Sequence, residues 1–364
     1  MQKKFYEEIP FVRAIACIMV VFVHVSSGTI TAANGSINTL NLYLYELPRL
    51  GTPIFAVISA FLLFGSVNRR GFNIKHFLTS RTTKIVLPFI IWTLIYLSFK
   101  KYFYSNEIFP DAQSTAKYFL VGTGYYHLYF MITVIQFYIM FPLLQLIRNR
   151  KMLLGFFFVS LLVNLYWFTG SKIHTGIDLL DIIIGHRSFL LNWIGFFMFG
   201  AVLVSYYSEI LKFVKRQKVV LFVSAILIFL ALCLEIDPNN IFTSSRPINL
   251  LYVPIFVLFL LSIQGLIAKV PFILSGLNII GNYSMGIYLV HPMVKGILRR
   301  NTPPSFWEPE LILVTIGIVL LTSLIIVHLI MFLPKANYLI PIGKAKRNSP
   351  VVKENLSTSV SNSL

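Results

Sequence analysis

The sequence predicts an all-α, polytopic membrane protein: a bundle of about ten transmembrane helices with both termini in the cytoplasm. Of its 364 residues, 57% are hydrophobic and 12% are charged, and the mean hydropathy is +0.77. A soluble domain carries about 25% charged residues, so most of this chain cannot face water. The composition therefore excludes a soluble cytosolic enzyme, a disordered chain and a disulfide-stapled secreted module.

Apolar runs long enough to cross a bilayer predict the individual helices. A bilayer core takes about 20 residues of helix, and ten runs approach that length. These predicted spans are approximately 9–28, 47–66, 85–103, 126–147, 152–168, 189–206, 218–236, 249–268, 279–298 and 310–333. Pro48 and Pro53 should bend or break the second span. We therefore expect one membrane domain over 1–343, followed by an unstructured polar cytoplasmic tail over 344–364.

The basic residues predict the orientation of the bundle. The formal net charge is +18, and with both termini cytoplasmic 20 of the 31 Lys and Arg residues fall on the cytoplasmic side, against eight outside. Cytoplasmic loops of membrane proteins carry this excess. Arg13, Arg49 and Lys295 lie within spans, and we expect Lys295 to extend to the outer interface. Basic loops beside a lipid bilayer explain the charge, so nucleic acid is not a predicted partner.

Several kinds of site are excluded by motif and spacing. Cys17 and Cys233 lie far apart in apolar runs, so they predict neither a metal site nor a disulfide framework. The chain has no phosphate-binding GxxxxGK[ST] loop and no GxSxG nucleophile turn in a suitable setting. An ATP-driven machine and an α/β-hydrolase are therefore disfavoured.

Arg13 and His24 are the main candidates for chemistry, because ionisable groups inside a span are costly. Eleven residues apart, they are about 20° from three full helical turns, so both face one side of the first helix. Their axial separation is about 16.5 Å, from the inner to the outer part of the bilayer. The alternative is that Arg13 reaches inner headgroups and His24 is a packing or interfacial histidine.

Two further segments carry candidates on the cytoplasmic side and in the second span. Arg81 and Lys84, three residues apart before the third span, would share one side of a helix and could contact phosphate oxygens. They also fit an ordinary basic flank. Ser59 lies among small and aromatic residues of the second span, where helix packing is the default interpretation.

The remaining candidates lie toward the outside. His127 and Tyr129 begin the fourth span, where an aromatic belt accounts for the tyrosine and leaves His127 as the distinctive residue. Ser284 and Tyr288 share one face of the ninth span. His291 precedes Pro292 and suits either a chemical role or a structural bond to a carbonyl freed by the proline.

Taken together and in this order, these segments resemble the integral-membrane acyltransferase-3 family. The family's most specific signature is an Arg and a His separated by ten residues in the first helix, matched by Arg13 and His24. Arg81 matches the first position of an Arg-x-x-Arg pair, with Lys84 in the final place. The other matches are Phe55, Ser59 and Phe61 in the second span and Tyr288, Leu289 and His291 in the ninth.

The resemblance covers essentially the whole chain. The RAI-x-C opening (13–17) and the GTP-x-F segment (51–55) are most similar to acyltransferases of biofilm exopolysaccharide loci, which are associated with O-succinylation or O-acetylation of poly-N-acetylglucosamine. This implies a multi-pass protein of the bacterial cell membrane. The chain departs from the family in lacking an Asp shortly before Arg13, and in Lys84, which has no planar two-donor fork.

The resemblance also implies a reaction: transfer of an acyl group from cytoplasmic acyl-CoA to a hydroxyl of an extracytoplasmic polysaccharide or glycan. Arg81 and Lys84 would contact the donor's phosphates, and the acylated arm would rise past Arg13 through one continuous polar passage. His24 would accept the hydroxyl proton or carry the acyl group itself. Acyl-CoA is then a co-substrate, no tightly bound cofactor is expected, and a polysaccharide synthase complex is a candidate partner.

Two other classes of function fit parts of the sequence. A carrier or flippase exporting an oligosaccharide or lipid-linked sugar would also have embedded charges and prolines. A membrane sensor or assembly scaffold would tolerate the loss of Arg13 and His24.

Overall fold

Helices dominate the chain because a segment in hydrocarbon must satisfy its backbone hydrogen bonds internally. The computed structural model describes residues 6–32, 39–147, 149–170, 173–238 and 241–341. The predicted tail 344–364 lies outside the described residues. The helices are α1 (Glu8–Ala32), α2 (Thr39–Glu46), α3 (Gly51–Arg70), α4 (Ile74–Arg81), α5 (Leu87–Tyr104), α6 (Ala112–Leu120), α7 (Tyr129–Leu144), α8 (Arg150–Thr169), α9 (Asp178–Gly185), α10 (Ile194–Ser205), α11 (Tyr207–Arg216), α12 (Lys218–Glu235), α13 (Asn249–Ile267), α14 (Pro271–Asn301) and α15 (Ile312–Ile330).

The helical membrane bundle predicted from hydropathy is confirmed. Across the described ranges, nine helical segments are long and apolar enough to cross a membrane. The fourth predicted span, 126–147, is the exception, because its helix α7 has only 16 residues. One face of α7 packs against its neighbours and buries Phe137 and Phe141 completely, while Ile139 and Leu143 on the other face are exposed.

Prolines interrupt two of the spans. Pro48 lies in a 3-10 turn, Leu47–Leu50, and α3 begins immediately after it. Pro53 lies in the first turn of α3, where a missing N–H is tolerated. A π-helical turn, Thr82–Val86, joins α4 to α5 just before Pro88. Because Pro88 has no N–H for the carbonyl four residues back, the wider turn accommodates it.

The enclosed and lipid-facing helices differ in burial. In the apolar 18-residue stretch of the segment that contains α10, 78% of the residues are buried, and in that of the segment that contains α3, 67% are. The corresponding share in α8 and in α12 is 17%. Large apolar side chains on those two peripheral helices, such as Leu162 and Leu227, are exposed. In a bilayer such residues face lipid, so exposure here does not indicate a protein interface.

The first helix packs along α14, and the two run parallel, since Pro10 lies against Gly281 near one end and Ser27 accepts a hydrogen bond from Lys295 near the other. Gly281 permits their close approach. A Cβ atom at that position would lie 1.9 Å from the carbonyl oxygen of Pro10. Small residues allow helix backbones to meet in lipid, and this contact sets α1 against the part of α14 that carries Ser284 and His291.

Candidate active site

A polar cavity of about 340 Å³ lies at the end of the bundle that the charge bias predicts to be extracytoplasmic. We call it the outer cavity. It includes four predicted site residues: His24 from α1, His127 and Tyr129 from the start of α7, and Tyr288 from α14. The other lining residues are Val20, Val23, Ser27, Tyr45, Arg49, Thr52, Tyr126, Phe130, Arg187, Trp193, Thr243, Ser244, Ser245 and Lys295.

Three histidines from distant parts of the sequence meet beside this cavity. The ring of His24 stacks on that of His291, with ring centroids 5.2 Å apart and planes 27° apart. The ring of His127 lies 5.9 Å from that of His291. His24 and His127 line the cavity, while His291 lies behind them and is fully buried. Within the described ranges, no group of His, Cys, Asp and Glu residues is arranged to hold a metal ion.

Some imidazole nitrogens of this histidine cluster have no hydrogen-bond partner among the described residues. Nδ1 of His291 lies 2.8 Å from the carbonyl oxygen of Ile287, so Nδ1 carries the proton and Nε2 keeps its lone pair. Nε2 of His291 and both ring nitrogens of His127 are buried without a partner among the described residues. The Tyr288 hydroxyl donates to the backbone carbonyl of His127, fixing the start of α7. Buried polar atoms are normally paired, so these nitrogens are the unsatisfied groups of the cluster.

The structural alternative for His291 is partly correct, because its ring does bond a helix carbonyl near Pro292. The backbone around Pro292 is also held by Tyr96 of α5. Its hydroxyl donates to the carbonyl of Leu289 at 2.6 Å and accepts from the N–H of Met293 at 3.2 Å. The hydroxyl therefore bridges a donor and an acceptor four residues apart in α14. This contact supports the backbone that carries His291.

Three cations line the outer cavity, although the sequence singled out none of them for the site. Arg49 pairs with Glu46 at 3.0 Å, Arg187 lies over the ring of Tyr129 at 4.1 Å, and Lys295 donates to Ser27 at 2.9 Å. Lys295 was expected to extend to the outer interface, but it is turned into the bundle. Glu46 balances the charge of Arg49, but no Asp or Glu is among the described lining residues, so Arg187 and Lys295 leave the cavity positive and suited to an anionic group.

Arg13 and His24 both face α14, as their spacing predicts. The guanidinium of Arg13 donates to the hydroxyl of Ser284 through Nε (3.2 Å) and Nη2 (2.8 Å). Ser284 and His291 are seven residues apart, about two turns, and so share one face of α14. Arg13 does not line the outer cavity, which reaches down α1 only to Val20. The predicted passage therefore does not join Arg13 and His24 within this one cavity.

The cytoplasmic candidates occupy different environments. Arg81 is half-buried, with its guanidinium 5.2 Å from the ring centroid of Tyr138 and its Nε lacking a partner among described residues. Lys84 is exposed. The π-helical turn between them changes the angular spacing, so the expectation that both share one side of a regular helix is not met. Ser59 is half-buried in α3 and does not line the outer cavity.

Glu8 is the acidic residue that precedes Arg13 most closely in the sequence. Glu8, in the first turn of α1, accepts a hydrogen bond from the hydroxyl of Tyr207 in α11. Burial raises the pKa of Tyr207, and the Glu8 carboxylate raises it further, so the phenol remains the donor. Glu8 therefore connects α1 to α11 at the inner end of the bundle.

Comparison with known sequences identifies an acyltransferase domain over residues 6–330, nearly the whole chain. The chain therefore belongs to the acyltransferase-3 family, and the resemblance based on its motifs is confirmed. With its apolar helices, this membership defines a multi-pass bacterial membrane protein.

Among curated proteins the chain is similar to a Staphylococcus aureus (strain Mu50) protein named "Probable poly-beta-1,6-N-acetyl-D-glucosamine export protein". The two are 26% identical over 313 residues, which cover 82% of this chain and 85% of that protein. A Staphylococcus epidermidis protein with the same name is 24% identical over 312 residues, or 82% of this chain and 84% of that protein. No solved structure matches the chain. The relatives support the resemblance to proteins of exopolysaccharide loci.

Proposed function

We propose that the protein is a membrane O-acyltransferase that moves an acyl group from cytoplasmic acyl-CoA to a hydroxyl of an extracytoplasmic polysaccharide. The family supports acyl transfer. The observation that carries the proposal is the histidine cluster: His24 and His127 line a polar cavity that also has cations, and His291 stacks on His24. Positioned imidazoles typically contribute about 10²–10⁴-fold as general bases.

In the proposed step, the acceptor hydroxyl oxygen attacks the thioester carbonyl and its proton passes to His24. The new C–O ester bond forms as the C–S bond breaks, and the coenzyme leaves as a thiolate. The imidazolium of His24 then returns the proton to that thiolate. The stacked ring of His291 positions His24, and a cation of the cavity stabilises the developing oxyanion.

The donor side is proposed to run from Arg81 and Lys84 at the cytoplasmic end toward Arg13. The half-buried Arg81 guanidinium, with its unpartnered Nε, can contact phosphate oxygens, and Lys84 adds a solvated charge. Arg13, held on Ser284, would interact with the acylated arm between the two ends of the bundle. Acyl-CoA acts in this scheme as a co-substrate.

The acceptor and the acyl group follow from the relatives and from the cavity's charge. The relatives' name points to poly-N-acetylglucosamine as the polymer, with a polysaccharide synthase complex as a partner. Of succinyl and acetyl, the cations favour succinyl, because its free carboxylate can pair with Lys295, which has no carboxylate partner among the lining residues. Succinyl-CoA should therefore be the better donor for the purified protein.

The substitution His24→Ala tests the mechanism. We expect acyl transfer to poly-N-acetylglucosamine oligosaccharides to fall about 10²–10⁴-fold, with normal membrane insertion. The matched control is His328→Ala, since His328 on α15 packs against Phe332 away from the outer cavity. Product mass would be measured with succinyl-CoA and with acetyl-CoA. Undiminished transfer by His24→Ala would exclude the proposed base.

A carrier exporting the polysaccharide is the second candidate, favoured by the relatives' name. The two functions differ in what purified protein does in vesicles. An acyltransferase consumes acyl-CoA and leaves acylated polymer, whereas a carrier moves polymer across the bilayer without thioester cleavage.

A further inference from the structure

The outer cavity has a neighbour on each side. The first, which we call the tyrosine cavity, has a volume of about 350 Å³ and is lined by Lys100, Thr123 and Tyr125, among others. It shares Tyr126 and Tyr129 with the outer cavity. The second, the tryptophan cavity, has about 260 Å³ and includes Trp167 and Asn192. It shares Thr243 and Ser245 with the outer cavity.

The shared walls place the outer cavity in the middle of a row. The outer cavity shares three lining residues with each of the other two cavities, whereas those two share only Arg187 with each other, so the outer cavity lies between them and Arg187 borders all three. Arg187 is held in place by a bond to the carbonyl of Tyr126 at 2.9 Å and by the ring of Tyr129. His24 lines only the middle cavity. An extended ligand in the row would therefore present an interior unit, rather than an end, to His24.

The chemistry of the flanks suits a carbohydrate chain. Aromatic rings offer flat apolar faces against which the C–H faces of sugars can pack, and their polar tips add hydrogen bonds. Tyr126 has a buried hydroxyl with no partner among the described residues, at the boundary of two cavities. On the other side, Trp167 is half-buried, with its ring 5.1 Å from that of Phe189, beside the amide of Asn192 and the hydroxyls of Thr243 and Ser245.

Backbone geometry keeps the tyrosine cavity beside the outer cavity. Gly122 has φ +78°, and a Cβ atom there would lie 2.6 Å from Cα of Tyr129. The loop thus packs directly against the first residue of α7. Since Tyr129 lines both cavities, this contact sets their spacing.

We infer that the row is a groove for a linear polysaccharide, in which at least one sugar unit on each side of the reacting unit is bound. The inference rests on the proposed function for the reaction, although the groove itself would equally serve a carrier. It predicts acylation at interior units, and binding that strengthens with chain length until both flanks are filled.

The test compares N-acetylglucosamine oligosaccharides from the monomer to the hexamer, in calorimetric binding and in succinyl transfer. We expect the hexamer to bind at least about tenfold more tightly than the dimer, and fragment masses to place the acyl group on interior units. Trp167→Ala should weaken hexamer binding about tenfold and dimer binding little. Thr123 is exposed in the tyrosine cavity, and the larger side chain of Thr123→Trp would fill that flank. This variant should also weaken hexamer binding and change dimer binding little.

Phe158→Ala is the matched control, because Phe158 is an exposed aromatic on the same helix as Trp167 and lines none of the three cavities. Trp167→Phe keeps an aromatic ring and should retain most of the dependence of binding on chain length. Such a result would establish that the fold tolerates a change at this position. Equal binding of dimer and hexamer to the wild type, or equal losses at all lengths in Trp167→Ala and Thr123→Trp, would overturn the groove. Length-dependent binding without any acyl transfer would instead overturn the proposed reaction and leave the groove standing.

Discussion

Tyr96→Phe isolates the contribution of one hydroxyl to the helix that carries His291. The substitution keeps the ring, which stacks on Tyr125 with centroids 4.3 Å apart, and removes only the bridge between the carbonyl of Leu289 and the N–H of Met293. Tyr96 is fully buried, so water cannot readily replace the hydroxyl. Both backbone groups lose their partner at the point where Pro292 already interrupts the ladder.

The cost follows from these two groups. A buried polar group left unsatisfied costs about 1–3 kcal/mol, while hydrogen bonds within membrane proteins average about 0.6 kcal/mol when measured. Since α14 can relax to bring the two groups closer, we expect the free energy of unfolding to fall by about 1–3 kcal/mol for the pair. Domains lose about 2–4 °C in Tm for each kcal/mol, so Tm should fall by about 2–12 °C.

Thermal unfolding of the detergent-solubilised protein, followed by intrinsic fluorescence at one scan rate, measures this effect. Tyr102→Phe is the matched control, because Tyr102 lies on the same helix and is 81% exposed. It should unfold at the wild-type temperature. If Tyr96→Phe and Tyr102→Phe were equally stable, the hydroxyl bridge would not support α14, and its proposed part in holding His291 would be wrong.

Two further predictions concern the close helix contact and the donor end. Gly281→Ala should lower Tm by several degrees, because its Cβ would meet the Pro10 carbonyl and overpacking typically costs about 1–3 kcal/mol. The control Gly276→Ala has no atom within 4 Å of its added Cβ and should be neutral or stabilising. Equal melting temperatures of the two variants would contradict the close contact between α1 and α14. Arg81→Ala should raise the Michaelis constant for acyl-CoA about tenfold without changing that for the acceptor, and Lys84→Ala, at an exposed position, should have a smaller effect in the same steady-state assay. An unchanged donor constant in Arg81→Ala would exclude the phosphate contact.

Periodicity and composition predicted much of the fold, because both are local properties of a chain in a bilayer. Apolar length located nine of the ten predicted spans as long helices of the described residues, and the spacing of Arg13 and His24 correctly placed both on the side of α1 that meets α14. The same reasoning misjudged Arg81 and Lys84. It assumed a regular helix, whereas Pro88 is accommodated by a π-helical turn that separates their environments.

The histidines of the site were partly predictable, and its cations were not. His127 and His291 stood out because a histidine in an apolar span is unusual. Arg187 gave no such signal, since a basic residue in an outer loop has an ordinary explanation. Embedded charge was the one available clue to Arg49 and Lys295, and it did not indicate that their side chains turn inward.

The sequence by itself determined that this is a multi-pass helical protein, that Arg13 and His24 share a helix face, and that its motifs are those of a membrane acyltransferase. Only the tertiary structure decided which distant side chains meet. His24, His127 and His291 come together, and Arg49, Arg187 and Lys295 line one cavity, because α1, α7 and α14 and the segments near residues 49 and 187 pack at one end of the bundle. Hydrophobic periodicity specifies that each helix is buried on one side, but the choice of neighbour depends on long-range contacts such as Gly281 against Pro10.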